Sequence, residues 1–446
     1  MSQRYESADV DASPLGQPLH FEFADRDAPN RFIKGAMTER LSSWDPENLA
    51  NRGVPSQNLV NVYNRWGEGE IGVILSGNVM FEYDHLEAAG NPIIPRHESF
   101  GPSERFTGFA QMAKGAKAHG CLAVAQVSHP GRQVDDRIQK HPISASDIQL
   151  EGNVMGMTFA KPRAATEEDI KNVIEGFAHA AEYLQEAGWD GIELHGAHGY
   201  LLAQFLSPST NKRTDKYGGS IENRARIIVE IAAEIRKRVK KNFIVGIKLN
   251  SVEFQDKGLD TQEAKAICKI LEDNRFDFVE LSGGTYEKLA FGHQRESTKK
   301  REAFFMEFAE AIAPILTRTK VYLTGGFKTT GAMVDALETV DGVGLARPLC
   351  QEPLLCADLL SGKVKGAKKI VVGDEDFATT NVIAGTQIRQ LGKNQEPIDL
   401  SIEDNFEHFK KDMGAWAKKL SEDSARKEYG FIDLTEQPSA YGGTSL

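Results

Sequence analysis

Residues 191–196 read GIELHG, a short apolar run that lies between two helical patterns at about 166–187 and 220–240. Seven further runs of this kind alternate with helical patterns: RFIKGAM (31–37), IGVILSG (71–77), CLAVAQV (121–127), FIVGIKL (243–249), FDFVELSG (276–283), KVYLTGG (320–326) and DGVGLAR (341–347). Continuous apolar runs of this length are typical of strands buried on both faces of a parallel sheet. Eight such strands alternating with helices predict an α/β fold, a closed (β/α)8 TIM barrel.

The other helical patterns are at about 56–68, 103–119, 261–274, 301–317 and 329–339. Thr166 with Asp169 forms a capping box at one helix start, and Ser220 with Asn223 is a weaker start signal. An open, doubly wound sheet is the structural alternative. The absence of a GxGxxG motif after the first run disfavours it.

Two segments of the sequence depart from the alternation of strands and helices. Residues 141–165, which contain ISASDIQLEGNVMGMTFAKPRA, follow strand three, and we expect a hairpin-like insertion over the barrel mouth. Beyond about residue 362 the chain is richer in Lys, Asp and Glu, so we divide it into a barrel, 1–361, and a helical extension, 362–446. One amphipathic helix of the extension would present a single apolar face: Phe406, Phe409, Met413, Trp416 and Leu420. We expect the extension to pack on the barrel or to form an oligomer interface, such as that of a homodimer.

Composition excludes several classes of function. The net charge of −11 argues against a nucleic-acid-binding surface. No stretch approaches the roughly 18 apolar residues of a membrane-spanning helix, and the N-terminus has no apolar signal region. The four cysteines form no CxxC pair, so we expect reduced thiols and neither a zinc ribbon nor an iron–sulfur cluster. A cytoplasmic enzyme without a metal is the expectation.

Candidate chemistry lies at the carboxyl ends of the strands, where TIM barrels carry their active sites. After strand four, His195, His198 and Tyr200 can all face the mouth. Two imidazoles can donate hydrogen bonds to one oxygen and stabilise charge that develops on it. The structural alternative is a pair of histidines satisfied by backbone groups. A zinc site would need a third ligand, and none is apparent.

The ends of strands seven and eight are the usual phosphate site of this fold. Gly325 and Gly326 can bring backbone N–H groups close to an anion, and Arg347 adds a positive charge. The polar run NKRTDKYGGSIENR (211–224) is too polar for a simple core segment. It can cap its own loop, bind phosphate, or both.

HGAHGYLLAQFLSP (195–208) and YGGSIENR (217–224) resemble the Old Yellow Enzyme family of flavin-dependent oxidoreductases. NRFIKGAMTE (30–39), GCLAVAQVSHPGRQ (120–133) and DGVGLARP (341–348) match further blocks of the family in the same order. The resemblance covers roughly residues 19–360. KLNS, ELSGGTYE and LARPLCQEP look most like a microbial, fungal subgroup.

The resemblance implies FMN, bound non-covalently across the barrel mouth. By position in the family's motifs, the isoalloxazine ring would meet Ala36, Thr38, Asn78 and Gln126. Lys248 falls at the cation site beside the ring, while Gly326, Ala346 and Arg347 match the phosphate region, with Gly325 next to it. Ala36 stands where many members have proline, and Lys248 replaces the more frequent arginine.

The family's reaction has two half-reactions in one site. NADPH or NADH reduces the FMN, and an enone is then reduced with its oxygen on His195 and His198 and a proton from Tyr200. The alternative reading keeps the flavin and changes the small-molecule substrate to quinones, nitro compounds or nitrate esters. A barrel without turnover would be expected to lose the histidine pair or the tyrosine, and all three residues are present.

Overall fold

A computed structural model describes residues 3–154, 156–250, 261–282, 306, 308–373, 376–435 and 439–443. The strands are β1 (Leu19–Phe21), β2 (Arg26–Ala28), β3 (Phe32–Lys34), β4 (Val73–Leu75), β5 (Leu122–Val127), β6 (Ile143–Ser144), β7 (Arg163–Ala164), β8 (Gly191–Gly196), β9 (Ile244–Asn250), β10 (Phe278–Ser282), β11 (Lys320–Thr324) and β12 (Gly342–Leu345). Eight of them close into a parallel barrel in the order β3-β4-β5-β8-β9-β10-β11-β12. The predicted TIM barrel is confirmed, and its strands correspond to the eight apolar runs.

The helices are α1 (Gln57–Gly67), α2 (Glu104–Ala116), α3 (Glu167–Glu186), α4 (Leu201–Leu206), α5 (Ile221–Arg238), α6 (Thr261–Asp273), α7 (Thr330–Ala336), α8 (Pro348–Gln351), α9 (Leu355–Leu360), α10 (Phe377–Gly392) and α11 (Glu403–Glu422). Short 3-10 turns occur at Ser13–Gly16, Leu49–Asn51, Ala313–Ile315 and Tyr441–Gly443. Within the described part of the chain, none of these helices is both long and apolar enough to cross a membrane.

Helix starts follow local capping chemistry. The Thr166 hydroxyl accepts the Asp169 N–H and the Asp169 carboxylate accepts the Thr166 N–H, which confirms the predicted capping box of α3. Ser220 caps α5 by accepting the Asn223 N–H. The helix expected at 301–317 begins outside the described residues, and its later part is helical at 308–312.

Every second side chain along a strand points into the barrel, so the interior is filled in layers. The lower layer is apolar and includes Ile33, Val73, Leu122, Phe278 and Tyr322, all buried. A hairpin of β1 and β2, which the sequence pattern did not predict, covers this end with further apolar side chains, among them Leu19 and Phe21. The opposite end, where the strands finish, is therefore the end left for a site.

The insertion after β5 is present but is not built as the expected hairpin of strands. Its two short strands, β6 and β7, pair in parallel rather than antiparallel. Among the described residues of the insertion, antiparallel pairing is limited to a single bridge between Val154 and Met157. Because about twenty residues separate β6 from β7, the chain can loop back and enter both strands in the same direction.

The extension packs on its own barrel. From α10, Ala384, Ile388 and Leu391 belong to the same apolar core as the helices around the barrel. On α11, Phe409 is buried in a smaller core with Val382 and Ile383 of α10, and Phe406, Met413 and Trp416 lie at its edge. Four of the five residues of the predicted apolar face therefore pack within the chain, and Leu420 is not part of this core.

All four cysteines are buried free thiols, as expected. Burial raises the pKa of the Cys268 and Cys350 thiols to about 12, which keeps both protonated and unreactive at neutral pH.

Replacing Ile388 with alanine tests whether the extension is part of the folding unit. Ile388 is fully buried in the barrel's core, so Ile388→Ala should lower the free energy of unfolding by about 2–5 kcal/mol in a denaturant titration. The exposed control Lys411→Ala should change it by no more than about 0.5 kcal/mol. Equal effects of the two substitutions would mean that α10 contributes nothing to barrel stability.

Candidate active site

The predicted site residues all lie at the carboxyl end of the barrel. Gln126, His195 and Lys248 stand near the ends of β5, β8 and β9, and the others follow directly after a strand. Those that follow a strand are Ala36 and Thr38 after β3, Asn78 after β4, His198 and Tyr200 after β8, Gly325 and Gly326 after β11, and Ala346 and Arg347 after β12. Barrel closure therefore gathers seven separate sequence segments around one opening.

His195 is buried at the end of β8, and its hydrogen bonding fixes its tautomer. The backbone N–H of Ala197 donates to His195 Nδ1 at 3.3 Å, so the neutral ring carries its proton on Nε2. Burial, together with the nearby His198 and Lys248, holds the pKa of His195 well below its usual range. The ring is therefore a neutral N–H donor.

His198 is held by its backbone as well as by its ring. Its φ of +56° lies in the left-handed region, and its N–H donates to Asn250 Oδ1 at 2.9 Å. The ring Nε2 is 3.3 Å from Ser282 Oγ. Burial and the ammonium of Lys248 lower the pKa of His198 to about 3. Both histidines are consequently uncharged at neutral pH.

Tyr200 completes the predicted group. It is buried at the start of α4, with its ring centroid 4.6 Å from that of His195, and the two histidine rings are 5.1 Å apart. Both ring pairs meet edge to face, at interplanar angles of 79° and 75°. The structure thus brings together two imidazoles and one phenol, the groups needed to hold an oxygen and supply a proton.

Thr38 and Asn78 follow the neighbouring strands β3 and β4, and their side chains contact each other at the mouth. Asn78 Nδ2 donates to Thr38 Oγ1 at 3.3 Å, and the Thr38 hydroxyl donates to Glu87 at 2.9 Å. Asn78 Oδ1 is buried and has no hydrogen-bond partner among the described residues. A buried amide oxygen without a donor is costly, which makes it a candidate acceptor for a bound ligand.

Glu39 anchors the loop after β3, a role that the sequence did not indicate. Its carboxylate accepts the Tyr63 hydroxyl at 2.6 Å and the Gly77 N–H at 2.9 Å. A Cβ at Gly77 would lie 2.1 Å from Glu39 Oε2 and 2.4 Å from the Met37 carbonyl, so only glycine fits between them. This contact fixes the spacing of the loops that carry Thr38 and Asn78.

A layer of buried charged side chains lies directly below the mouth. Lys248 Nζ is 3.1 Å from Glu280 Oε2, and Gln126 Nε2 donates to Glu193 Oε2 at 2.6 Å. Register places Gln126 beside Glu193, Glu280 beside Lys248, and Lys248 beside His195. Glu193 and Glu280 were not among the predicted site residues. Their signal is a glutamate inside an otherwise apolar strand, in GIELHG and FVELSG.

The predicted phosphate end combines two glycines with Arg347. Gly325 and Gly326 have φ values of 131° and 82°, where only glycine is comfortable and the backbone can turn its N–H groups inward. The Arg347 guanidinium donates to Thr380 Oγ1 at 2.5 Å on α10. The extension therefore helps to position this arginine, which sequence motifs confined to the barrel could not indicate.

The extension also borders the mouth on another side. The Trp44 indole N–H donates to the Arg426 carbonyl at 2.8 Å, and the Arg40 guanidinium lies 4.7 Å from the ring centroid of Phe431. Arg426 in turn donates to the carbonyl of Arg137. Residues after α11 thus hold the loops that follow β3 and β5.

The polar run 211–224 caps its own loop. Asn211 donates to the carbonyls of Phe205 and Tyr217 at 2.7 and 2.8 Å, and Arg213 donates to the carbonyl of Ala165 at 2.6 Å. Arg224 donates to the carbonyl of Leu206 at 2.7 Å. Of the two uses that the sequence left open, the described contacts are those of loop capping.

Glu82, His85 and His129 form a further cluster behind the mouth. One candidate ligand atom of each lies within 4.8 Å of the others. However, the Gly131 N–H donates to His129 Nδ1 at 3.0 Å, so the proton of this neutral ring sits on Nε2, the nitrogen that faces Glu82. His85 Nδ1 is 2.7 Å from Glu82, and despite burial the acidic neighbours raise the pKa of His85 to about 9. These contacts are typical of an ion pair that links the loops after β4 and β5, and not of a metal site.

Comparisons with known proteins give the family of the chain and confirm its fold. A profile described as the NADH:flavin oxidoreductase / NADH oxidase family matches residues 15–365. The NADH-dependent flavin oxidoreductase nadA of Aspergillus parasiticus is 52% identical over 422 residues, covering 94% of this chain and 95% of that protein. The NADH-dependent flavin oxidoreductase iccE of Talaromyces variabilis is 36% identical over 354 residues, covering 73% and 82%. The solved Old Yellow Enzyme homologue from Zymomonas mobilis shares the fold, with a TM-score of 0.63 at 21% identity over 80% of this chain and 95% of that one.

The low pKa of His198 predicts a specific pH dependence of stability. An unfolded histidine titrates near 6.5, so between that pH and about 3 the unfolded chain binds a proton that the folded ring does not. Stability is then fully present above about pH 6.5 and is lost as the pH falls. Between pH 7 and pH 5 the wild type should lose about 2 kcal/mol more unfolding free energy than His198→Asn. Parallel curves for the two proteins in denaturant titrations would contradict the assignment of a neutral buried ring.

Proposed function

This chain belongs to the NADH:flavin oxidoreductase / NADH oxidase family, and from that premise we propose that it uses FMN and a nicotinamide cofactor to reduce activated C=C bonds of α,β-unsaturated carbonyl compounds. The observation that carries the proposal is the convergence of His195, His198 and Tyr200 at one opening. NADH is the proposed reductant, because the relative that is 52% identical is described as NADH-dependent.

The residues around the mouth fit FMN. Asn78 Oδ1 is a buried acceptor without a donor among the described residues, as a ring N–H of a flavin would require. Lys248 supplies a positive charge under the mouth, and Arg347 with the turn at Gly325 and Gly326 supplies donors for a phosphate. Ala36, Thr38, Gln126 and Ala346 complete the proposed contact set.

FMN bound at this opening would supply the hydride-transfer chemistry between the nicotinamide and the second substrate. The protein's part is to hold that substrate. The Nε2–H of His195 points from a neutral ring, and His198 offers a second nitrogen, so both can bind the carbonyl oxygen of an enone. Loss of one such donor costs on the order of 2.7–4 kcal/mol in enzymes where charge develops on the oxygen.

Tyr200 is the proposed proton donor. A phenol has an ordinary pKa near 10, which suits an acid that acts on a carbon only once that carbon becomes basic. Its ring packs edge to face on His195, so the group that holds the oxygen also positions the acid. Quinones and nitro compounds, the alternative substrates, are protonated on oxygen and do not need this residue in the same way.

Tyr200→Phe should separate the two half-reactions. General acid–base contributions are typically about 10²–10⁴-fold, so reoxidation of the reduced enzyme by cyclohexenone should slow by a factor in that range. Bleaching of the flavin by NADH and reoxidation by a quinone should be nearly unchanged. Stopped-flow absorbance measures all three rates.

The matched control is Tyr217→Phe. Tyr217 is also a buried tyrosine, but its hydroxyl donates at 2.8 Å to Glu230 of α5, which is not one of the proposed site residues. Tyr217→Phe should leave all three rates unchanged. If Tyr200→Phe slows enone and quinone reoxidation equally, Tyr200 has no role as a proton donor to carbon.

A further inference from the structure

Two carboxylates and one ammonium share a small space inside the barrel. Glu193 lies two residues before His195 on β8, and Lys248 is the register partner of His195 on β9. Glu193 and Glu280 have no solvent exposure, and Lys248 is 3% exposed. Below them the interior is apolar, and above them is the opening where the flavin is proposed to bind. Solvent therefore does little to screen their charges, and the charge state of this layer acts directly on whatever lies above it.

The two carboxylates have different partners. Glu280 is the one that pairs with Lys248, at 3.1 Å. Glu193 accepts one hydrogen bond, from the neutral amide of Gln126. The other oxygen of Glu193, Oε1, is buried and accepts no hydrogen bond from the described residues. Both oxygens of Glu280 are also buried, and neither accepts a hydrogen bond of good geometry from the described residues. A proton on Glu193 Oε1 directed at Glu280 would make that atom a donor and would supply one of the two Glu280 oxygens with a hydrogen bond.

Burial opposes a second negative charge in this layer. Burial and the neighbouring Glu280 raise the pKa of Glu193 well above its usual range. Burial also disfavours ionisation of Glu280, but the ammonium of Lys248 and the hydrogen bond with Glu193 outweigh it and lower the pKa of Glu280. Among the described residues, the uncharged polar groups that face the pair from adjoining elements are Gln126, His195, His198 and Thr324. Lys34 of β3, whose ammonium donates to the Leu75 carbonyl, also interacts electrostatically with Glu280 and Lys248.

We propose that Glu193 carries a proton, that Glu280 is the ionised partner of Lys248, and that this neutral layer sets the reduction potential of the flavin. The inference rests on the proposed FMN site above Lys248. Two-electron reduction adds negative charge to the cofactor, so a cation below it favours the reduced form. Glu280 offsets that cation, and it is therefore a positioning and tuning residue rather than a catalytic one.

The test compares midpoint potentials of the FMN-loaded protein in three variants. Glu193→Gln mimics the protonated acid and should shift the ratio of reduced to oxidised flavin at a fixed potential by less than about threefold. Adding Glu280→Gln to that variant leaves Lys248 uncompensated and should favour the reduced form by at least about tenfold, or ~30 mV for a two-electron couple. The second step is made in the Glu193→Gln background because Glu193 would otherwise ionise and replace Glu280.

Glu272→Gln is the matched control. Glu272 is also a buried carboxylate, but it accepts the N–H groups of Thr317, Arg318 and Thr319 just before β11, at the far end of the barrel. It should leave the potential unchanged. A shift of tenfold or more from Glu193→Gln alone would overturn the proposal, because it would mean that Glu193 is ionised.

Infrared spectroscopy supplies a readout that does not depend on the flavin. A buried carboxylic acid gives a C=O stretching band separate from the carboxylate bands, and that band should be present in the wild type and absent in Glu193→Gln. An unchanged band would contradict the proton assignment even if the double variant fails to fold. If the protein binds no FMN, the proposed function fails, while the infrared comparison still tests the protonation of Glu193.

Discussion

Closure of the eight-stranded parallel sheet is the constraint on which the site depends. Closing the sheet turns every second side chain inward and brings all eight strand ends to one opening. Apolar side chains fill the lower layer, and the β1–β2 hairpin covers that end. The inward positions one step higher are occupied by Glu193, Lys248 and Glu280. These charges are buried because the barrel closes around them, and no local sequence property would place them together.

Burial then determines the chemistry of the mouth. It keeps His195 and His198 neutral, so they act as hydrogen-bond groups rather than as charges. Lys248 and Glu280 form the ion pair beneath them. Neutral hydrogen-bond donors above the paired charges of Lys248 and Glu280 suit a site that binds a polarised oxygen next to an electron-accepting ring.

Much of the barrel was predictable from sequence, because each strand is an uninterrupted apolar run and several helices begin at a serine or threonine cap such as Thr166. The Old Yellow Enzyme resemblance is confirmed by the family profile, and the predicted site residues all lie at the predicted end of the strands. The β1–β2 hairpin was missed because the sequences of its strands, LHF and RDA, do not form continuous apolar runs. The parallel pairing of β6 with β7, and the contact of Arg347 with Thr380, depend on distant segments that meet only in the folded chain. Glu280 could not be predicted from its position in the sequence, because a glutamate inside an apolar strand does not reveal whether its side chain faces the barrel interior.

The central claim is that one opening holds both a flavin and a pair of neutral donors for an oxygen. Titration of the purified, FMN-loaded protein with a phenol that carries a para electron-withdrawing group tests both parts in one spectrum. The phenolate should bind with its oxygen at His195 and His198 and its ring on the flavin, which gives a saturable long-wavelength charge-transfer band. A protein that takes up no FMN, or a yellow protein whose spectrum gains no such band at saturating phenol, would contradict the account.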